Sequence, residues 1–387
     1  MKDTPFGKIP DGWGLDTINN VCDVVTDYVA NGSFKSLAEN VEYQEHEDST
    51  ILIRLVDYNN GFNGDFVYLN DHAYEFLAKS KLFGGEVIIS NVGANVGTVF
   101  RCPYLNKQMT LGPNSVMLKF KQNDDFYYYW LKSPAGQHML KSIVTGSAQP
   151  KFNKTNLRQV VVPVPDESTQ NKIASFLITI DKQIDVNNKI NRNLQEQAFT
   201  IFKEMFPNVN QGEHMLGEYL SPVKGKALLS KDAIEGDVPV IAGGLSPATY
   251  HNIANTKAPV LTISASGANA GYVALWHAPV WSSDSSYIDS NMTDNVYFWY
   301  AMLKTRQKEI FDAQTGSAQP HIYPKNIDVL PVAELERKKV ADYTTQVSRM
   351  FELMGKNIQE NERLSALRDS LLPKLMSGEL DVSDLDI

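Results

Sequence analysis

With 387 residues, 43% of them hydrophobic, the chain has room for two or three domains, and its composition is that of a soluble globular protein. A formal charge of −9, from 36 Lys and Arg against 45 Asp and Glu, argues against a uniformly cationic nucleic-acid binder and leaves any such contact to local basic patches or a basic partner. Two cysteines, Cys22 and Cys102, are too few for a cysteine metal site, and no stretch approaches the roughly 18 apolar residues of a membrane span, so a reducing, cytoplasmic location is expected.

The first segment, residues 1–165, opens on the loop Ile9-Pro10-Asp11-Gly12-Trp13. It continues with strand-like runs at 51–56, 66–69, 86–90, 97–101 and 115–120, punctuated by Asn59-Asn60-Gly61, Asn63-Gly64 and Gly84-Gly85. A helix is expected over 125–143. Residues 166–206 carry a seam of three- and four-residue steps at Ile173, Leu177, Ile180, Ile184, Leu194, Ala198, Ile201 and Met205, interrupted by Asn187 and Asn191. Pro163 and Pro165 precede this helix, Ser168 or Thr169 is placed to cap it, and Pro207 stops it. At about 1.5 Å per residue it makes a rod of roughly 60 Å, and its apolar seam needs a partner.

Residues 207–333 return to the first pattern, with strands at 238–241, 260–264, 272–276 and 286–288 and a helix over 296–312. A second long helix, 334–377, supplies a matching seam at Val340, Thr344, Val347, Phe351, Met354 and Ile358, then Asn361, then Leu364, Leu367 and Leu371. Residues 378–387 form an acidic tail with Glu379, Asp381, Asp384 and Asp386. The expected fold class is α+β: two mixed, strand-rich domains separated by two long helices that form an antiparallel coiled coil, in a pseudo-two-fold tandem repeat. Asn187, Asn191 and Asn361 in the seams read as register devices, since a buried seam Asn fixes alignment at a cost in stability.

The duplication is literal. Thr145-Gly146-Ser147-Ala148-Gln149-Pro150 recurs 170 positions later as Thr315-Gly316-Ser317-Ala318-Gln319-Pro320, and Gly93-Ala94-Asn95-Val96-Gly97 is echoed by Gly267-Ala268-Asn269-Ala270-Gly271. Each copy of the first motif lies upstream of a long helix. A molecule built this way suits a target with two similar sites at a fixed distance, and duplex DNA meets that description.

These residues resemble the specificity subunit of type I restriction-modification systems over nearly the whole chain. The resemblance rests on the Ile9–Trp13 entry, the Gly93 to Gly97 turn, the Gly146 to Pro150 segment, a helix opening Gln170-Asn171-Lys172-Ile173, the repetition of this order, and the ending Ser370-Leu371-Leu372-Pro373-Lys374-Leu375-Met376-Ser377-Gly378-Glu379-Leu380. The second long helix departs from the pattern, since Glu336-Arg337-Lys338-Lys339 stands where Glu-Gln is expected. What the resemblance implies is one recognition domain for each half of a bipartite DNA site, with the helices setting the spacer. It also implies two docked methyltransferase subunits that use S-adenosylmethionine, and an endonuclease-translocase subunit that uses ATP and Mg. No cofactor is expected in this chain itself.

Motifs for catalysis are missing from the sequence. No Asn-Pro-Pro-Tyr run occurs, Gly225-Lys226 lacks the spacing of a phosphate loop, the histidines form no metal-spaced pair, and Ser264-Ala265-Ser266-Gly267 reads as a turn. The expectation is a chain that is not an enzyme.

Base reading calls for Arg or Lys toward guanine, Asn or Gln toward adenine, and Asp or Glu toward cytosine. The loops of the first domain offer Lys35, Asn59, Asn91, Asn95, Lys107, Gln108, Asn114, Gln149 and Lys151. Those of the second offer Lys224, Lys226, Ser266, Asn269, Ser282, Asp284, Gln319, His321 and Tyr323. Each reads equally as a solvated loop residue or a satisfied turn residue, since turns favour Asn, Ser and Asp, and Gln149 and Gln319 are placed either to meet DNA or to pack on a helix end. Two other readings compete: a duplicated scaffold or adhesin for protein or glycan, suggested by the charge and by Tyr127-Tyr128-Tyr129-Trp130, and the recognition subunit of a related system that cuts on both sides of its site.

Overall fold

The computed structural model describes residues 1–316 and 319–383. Ser317 and Ala318 of the second repeat motif, and Asp384 and Asp386 of the tail, lie outside the described residues. The chain divides into two compact units, one of Met1–Lys182 with the segment from Leu364 onward, the other of Gln183–Arg363.

In the first unit an antiparallel sheet runs in the order Cys22–Asp27, Ser115–Phe120, Val87–Ser90, Val99–Arg101. A second sheet runs Val67–Leu69, Thr50–Ile53, Gln108–Leu111, Lys81–Leu82, with the two middle strands parallel. The second unit repeats this topology. One sheet runs Val223–Lys224, Ser285–Asp289, Val260–Ser264, Val273–Trp276, and the other Thr249–His251, Val238–Ile241, Trp281–Ser282, again with the last two parallel.

Two expected helices are each broken in two. The run at 125–143 splits into Asp124–Lys132 and Pro134–Ser142, because Pro134 has no N–H to continue the first helix and opens the second, capped by the Ser133 hydroxyl. The run at 296–312 splits into Val296–Thr305 and Gln307–Asp312 around Arg306, whose buried guanidinium donates to Glu309 (2.6 Å) and to the Pro331 carbonyl (2.8 Å). The strand expected at 51–56 ends at Ile53, since Asp57 folds back to accept from the Arg54 backbone (2.7 Å) and guanidinium and starts the helix Leu55–Asn59. Tyr127, Tyr129 and Trp130 are buried core residues, which removes the aromatic cluster as a glycan surface.

The long helices span Glu167–Met205 and Arg337–Met376. Asp166, not Ser168 or Thr169, caps the first: its carboxylate accepts from the Thr169 N–H (3.0 Å) and hydroxyl (2.7 Å), which holds it below the usual carboxylate range. In the first unit Ile173, Ala174 and Leu177 share a core with Leu372, Leu375 and Met376, and Asp181 accepts from Tyr129 (2.6 Å) and Arg368 (2.8 Å). In the second unit Ala198, Phe202 and Phe206 pack with Tyr343, Val347 and Phe351, and the Tyr343 hydroxyl donates to the Ala198 carbonyl (3.1 Å). Within each unit the early part of one helix meets the late part of the other, so the pair is antiparallel.

The seam itself differs from the sequence reading in detail. Ile173, Leu177, Ile180, Val340, Val347, Phe351 and Met354 are buried, while Ile184 and Leu194 are half-buried. Ile358 is 41% exposed, and Asn357, 8% exposed, holds the seam in its place. Phe202, Tyr343 and Arg368 likewise occupy the inward positions expected for Ile201, Thr344 and Leu367. Steps from Tyr343 through Val347, Met350, Met354, Asn357 and Asn361 keep a strict heptad, so choosing the apolar Ile358 over Asn357 and Leu367 over Arg368 shifts the stripe by one residue. Phe351 is buried on another account, stacked on Tyr297 at 4.7 Å.

The Asn residues pair with one another within the second unit. Asn187 donates to Asn361 (2.9 Å) and Glu360 (2.9 Å), Asn361 donates to Asn188 (2.9 Å), and Asn357 donates to Asn191 (2.8 Å).

His277 packs against Gly355, where a Cβ would come within 2.8 Å of the His277 Cβ. Burial pushes the imidazole pKa down from 6.5 to about 4. Below pH 6.5 the unfolded chain therefore binds a proton that the folded chain refuses, and stability falls as pH drops toward 4, by at most about 3 kcal/mol. Unfolding midpoints measured from pH 7 to pH 4 should fall less steeply in His277→Leu than in the parent chain; equal slopes would rule this out.

Candidate nucleic-acid interface

The two glycine motifs of each unit meet. In the first unit the Gly93 N–H donates to the Pro150 carbonyl (2.8 Å), Gly97 to Ser90 (2.8 Å), Phe152 to Asn91 (3.1 Å) and Asn91 to Asn114 (3.0 Å), while Thr145 and Lys151 exchange a pair of bonds at 2.8 and 2.9 Å. In the second, Gly267 donates to Pro320 (3.0 Å), Gly271 to Ser264 (2.7 Å), Ile322 to Ala265 (2.9 Å) and Ala265 to Asp284 (3.0 Å), and Thr315 and His321 exchange bonds at 2.9 and 2.8 Å. The duplication thus extends to individual backbone hydrogen bonds. Gly97 and Gly271, at φ 89° and 87°, take a left-handed conformation that brings their carbonyls to Gln137 (3.1 Å) and Gln307 (2.7 Å). Those two glutamines are also 170 positions apart, the offset of the hexapeptide repeat, so the sequence carries this signal as well.

Built around this framework are most of the expected base-reading residues. Asn95, Asn114, Gln149 and Lys151 are exposed on the first unit's loops; Asp284, Gln319 and Tyr323 are exposed on the second's, with Ser266, Asn269 and His321 half-exposed beside them. His321 and Tyr323 stack at 5.8 Å, and Ser266 donates its hydroxyl to the Asp284 carboxylate. Lys224 and Lys226 are exposed next to this group, since Lys226 N–H donates to the Ser282 carbonyl (2.9 Å). Pro150 and Lys151, and likewise Pro320 and His321, dock on the first glycine turn of their own unit, not on a helix end.

Six placements differ. Ser282 is fully buried, held by Asn255 (2.7 Å) and Ser285 (2.8 Å), so it reads no base and instead anchors the Lys226 backbone through its carbonyl. Asn91 is half-buried and spends its amide on the Phe152 carbonyl (3.2 Å). Gln108, accepting from Thr50 (2.9 Å), belongs to the second sheet, and Lys107, tied to Glu47 (2.7 Å), immediately precedes its strand. Asn59 ends the helix Leu55–Asn59, and Lys35 lies in the first turn of Phe34–Asn40. Just before Lys35, Phe34 stands 83% exposed, a residue that polarity-based selection overlooks.

Among the described residues, no cluster of three or more His, Cys, Asp or Glu could hold a metal ion, and no helix is long and apolar enough to cross a membrane. Ser266, the serine beside a glycine turn, is engaged by a carboxylate and not by an imidazole base.

A family model described as the type I restriction modification DNA specificity domain matches residues 10–196. Residues 10–196 thus carry the type I DNA specificity domain. A type I restriction enzyme specificity subunit of Methanocaldococcus jannaschii, MjaIX, is 22% identical across this entire chain and 97% of its own length. A second from that organism, MjaVIII, is 31% identical over 143 residues, 34% of this chain and 32% of the relative. The crystal structure of a type I restriction-modification S subunit from M. genitalium shares the fold, with a TM-score of 0.57 at 19% identity over 96% of this chain and 98% of that one. The match over 10–196 takes in the first glycine framework and most of the first long helix, so it covers both the first unit's loops and their support.

Proposed function

We propose that this chain reads DNA sequence for a type I restriction-modification complex, with recognition domains over residues 1–165 and 207–333 each taking one half of a bipartite, asymmetric site. The helices 166–206 and 334–377 set the unspecified spacer and dock two methyltransferase subunits, and residues 378–387 form an acidic tail. The observation that carries this reading is the loop framework built twice with the same hydrogen bonds, each carrying different exposed side chains. A common scaffold with variable tips is what two different half-sites require.

Bond-making is assigned to other subunits. The methyltransferases would flip an adenine from the stack and transfer a methyl group from S-adenosylmethionine, because the target atom is unreachable inside a duplex. The endonuclease-translocase subunit would supply ATP and Mg chemistry for restriction. The chain takes no cofactor of its own and works in the cytoplasm, alongside the DNA. A rod of roughly 60 Å corresponds, at about 3.4 Å per base step, to an upper reach near 17 base pairs.

Modification profiling of genomic DNA from cells with and without the gene tests this directly. A two-part methyladenine motif is expected to vanish on deletion and return on complementation. An unchanged methylation pattern would end the reading.

A further inference from the structure

The two copies of the loop framework differ in chemistry at one shared node. Asn114 and Asp284 occupy it: each is exposed, and each offers its backbone carbonyl to the residue that opens the glycine turn, Asn91 and Ala265. The neighbouring position on the turn is Val92 in the first unit and Ser266 in the second, bridged to Lys151 and His321 respectively. Val92 and Asn114 line a cavity of about 360 Å³ whose other walls include Val29, Phe34 and Pro113. Ser266 instead hydrogen bonds to Asp284 and fixes its carboxylate. One node therefore presents an amide against an apolar wall, the other an oriented carboxylate against a hydroxyl.

We infer that this node sets one letter in each half-site, Asn114 selecting an A·T pair and Asp284 selecting a G·C pair through its cytosine. This rests on the proposed role in DNA reading. An amide side chain pairs its oxygen with the adenine N6 amino group and its NH₂ with N7, and the apolar wall beside Asn114 suits the thymine methyl across the pair. A carboxylate only accepts. It matches the cytosine N4 amino group, whereas on adenine its second oxygen faces the N7 lone pair. The negative charge of Asp284 near a phosphate backbone is offset by the exposed Lys224 and Lys226, carried on a segment whose backbone hydrogen bonds to Ser282 and Ser285 on either side of Asp284. Ser266 is a positioning residue that acts through Asp284.

The test uses the full chain in cells that carry the rest of the system, with modification profiling of genomic DNA. Asp284→Asn should convert one G·C position of one half-site to A·T, Asp284→Ala should relax it to any base, and Asn114→Asp should do the converse in the other half. All three substitutions are small, and Asn114 at φ 65° lies where Asp is also tolerated. The half-site belonging to the unaltered unit serves as the control for folding and assembly. Ser266→Ala should keep the letter and lower the modified fraction at each site.

If deletion of the gene erases a bipartite motif but the variants at 284 and 114 leave every letter unchanged, the node assignment is wrong while the reading role stands. Loss of the whole motif in both Asp284→Asn and Asp284→Ala would overturn the assignment too, since one exchanged base contact weakens a site by only about ten- to a hundredfold. If deletion changes nothing, the reading role itself is wrong.

Discussion

Inserting seven residues into each long helix, between Lys182 and Gln183 and between Arg363 and Leu364, should lengthen the recognised spacer and leave both half-sites unaltered. Those junctions are where the chain divides into its compact units, so each unit keeps its own core and loop framework. Seven residues restore the seam's facing and add about 10 Å, the rise of roughly three base pairs. Three base pairs also turn a duplex by about 100°, at 10 to 10.5 per turn, and a heptad supplies almost none of that rotation. The longer motif should therefore be modified more slowly than the original. Insertion into one helix alone leaves the antiparallel partner a heptad short, and the motif should disappear. Methylation mapping of the double insertion decides the matter: altered half-site letters with an unaltered spacer would sink the idea that the helices act as a ruler.

The sequence made some features of this protein legible and hid others, for physical reasons that can be traced to residues. Repetition survives because the framework is backbone chemistry. Gly97 and Gly271 need a left-handed conformation that few other residues tolerate, and Pro150 and Pro320 lie where their backbone carbonyls accept from Gly93 and Gly267. Tertiary choices were less visible. Ile358 is the more hydrophobic neighbour of Asn357, and only the partner Asn191 across the seam explains why the amide turns inward. Ser282 sits in a turn-like run of serines, as a base reader might, but its register in a parallel strand pair buries it. Phe34 was passed over because an exposed aromatic side chain has no signature in a single sequence. The candidate loops were found because their neighbours are glycines; which of their side chains face outward depended on contacts from distant strands.

Replacing the whole Asn belt, Asn187, Asn191, Asn357 and Asn361, with Leu should raise stability and blur the spacer. Replacing one member should do the opposite. Asn361→Leu alone removes one of the two acceptors of the buried Asn187 amide, leaving it only Glu360, and an unsatisfied polar N–H there costs about 1–3 kcal/mol. With all four exchanged no orphan remains. Two buried or half-buried amide pairs become a continuous apolar stripe, so the unfolding midpoint should rise by the logic that apolar replacements of buried polar pairs are neutral or stabilising by about 1–4 kcal/mol. What is lost is the penalty on misalignment. In the native seam, a slip by one heptad sets Asn187 and Asn357 against apolar residues and leaves their amides unpaired; in the Leu variant the same slip costs only packing at the ends. Thermal unfolding should then show a higher midpoint, and modification profiling should show the same two half-sites at more than one separation. A variant that melts lower than the parent, yet methylates at a single spacer length, would show that the amides stabilise the pair without fixing its alignment.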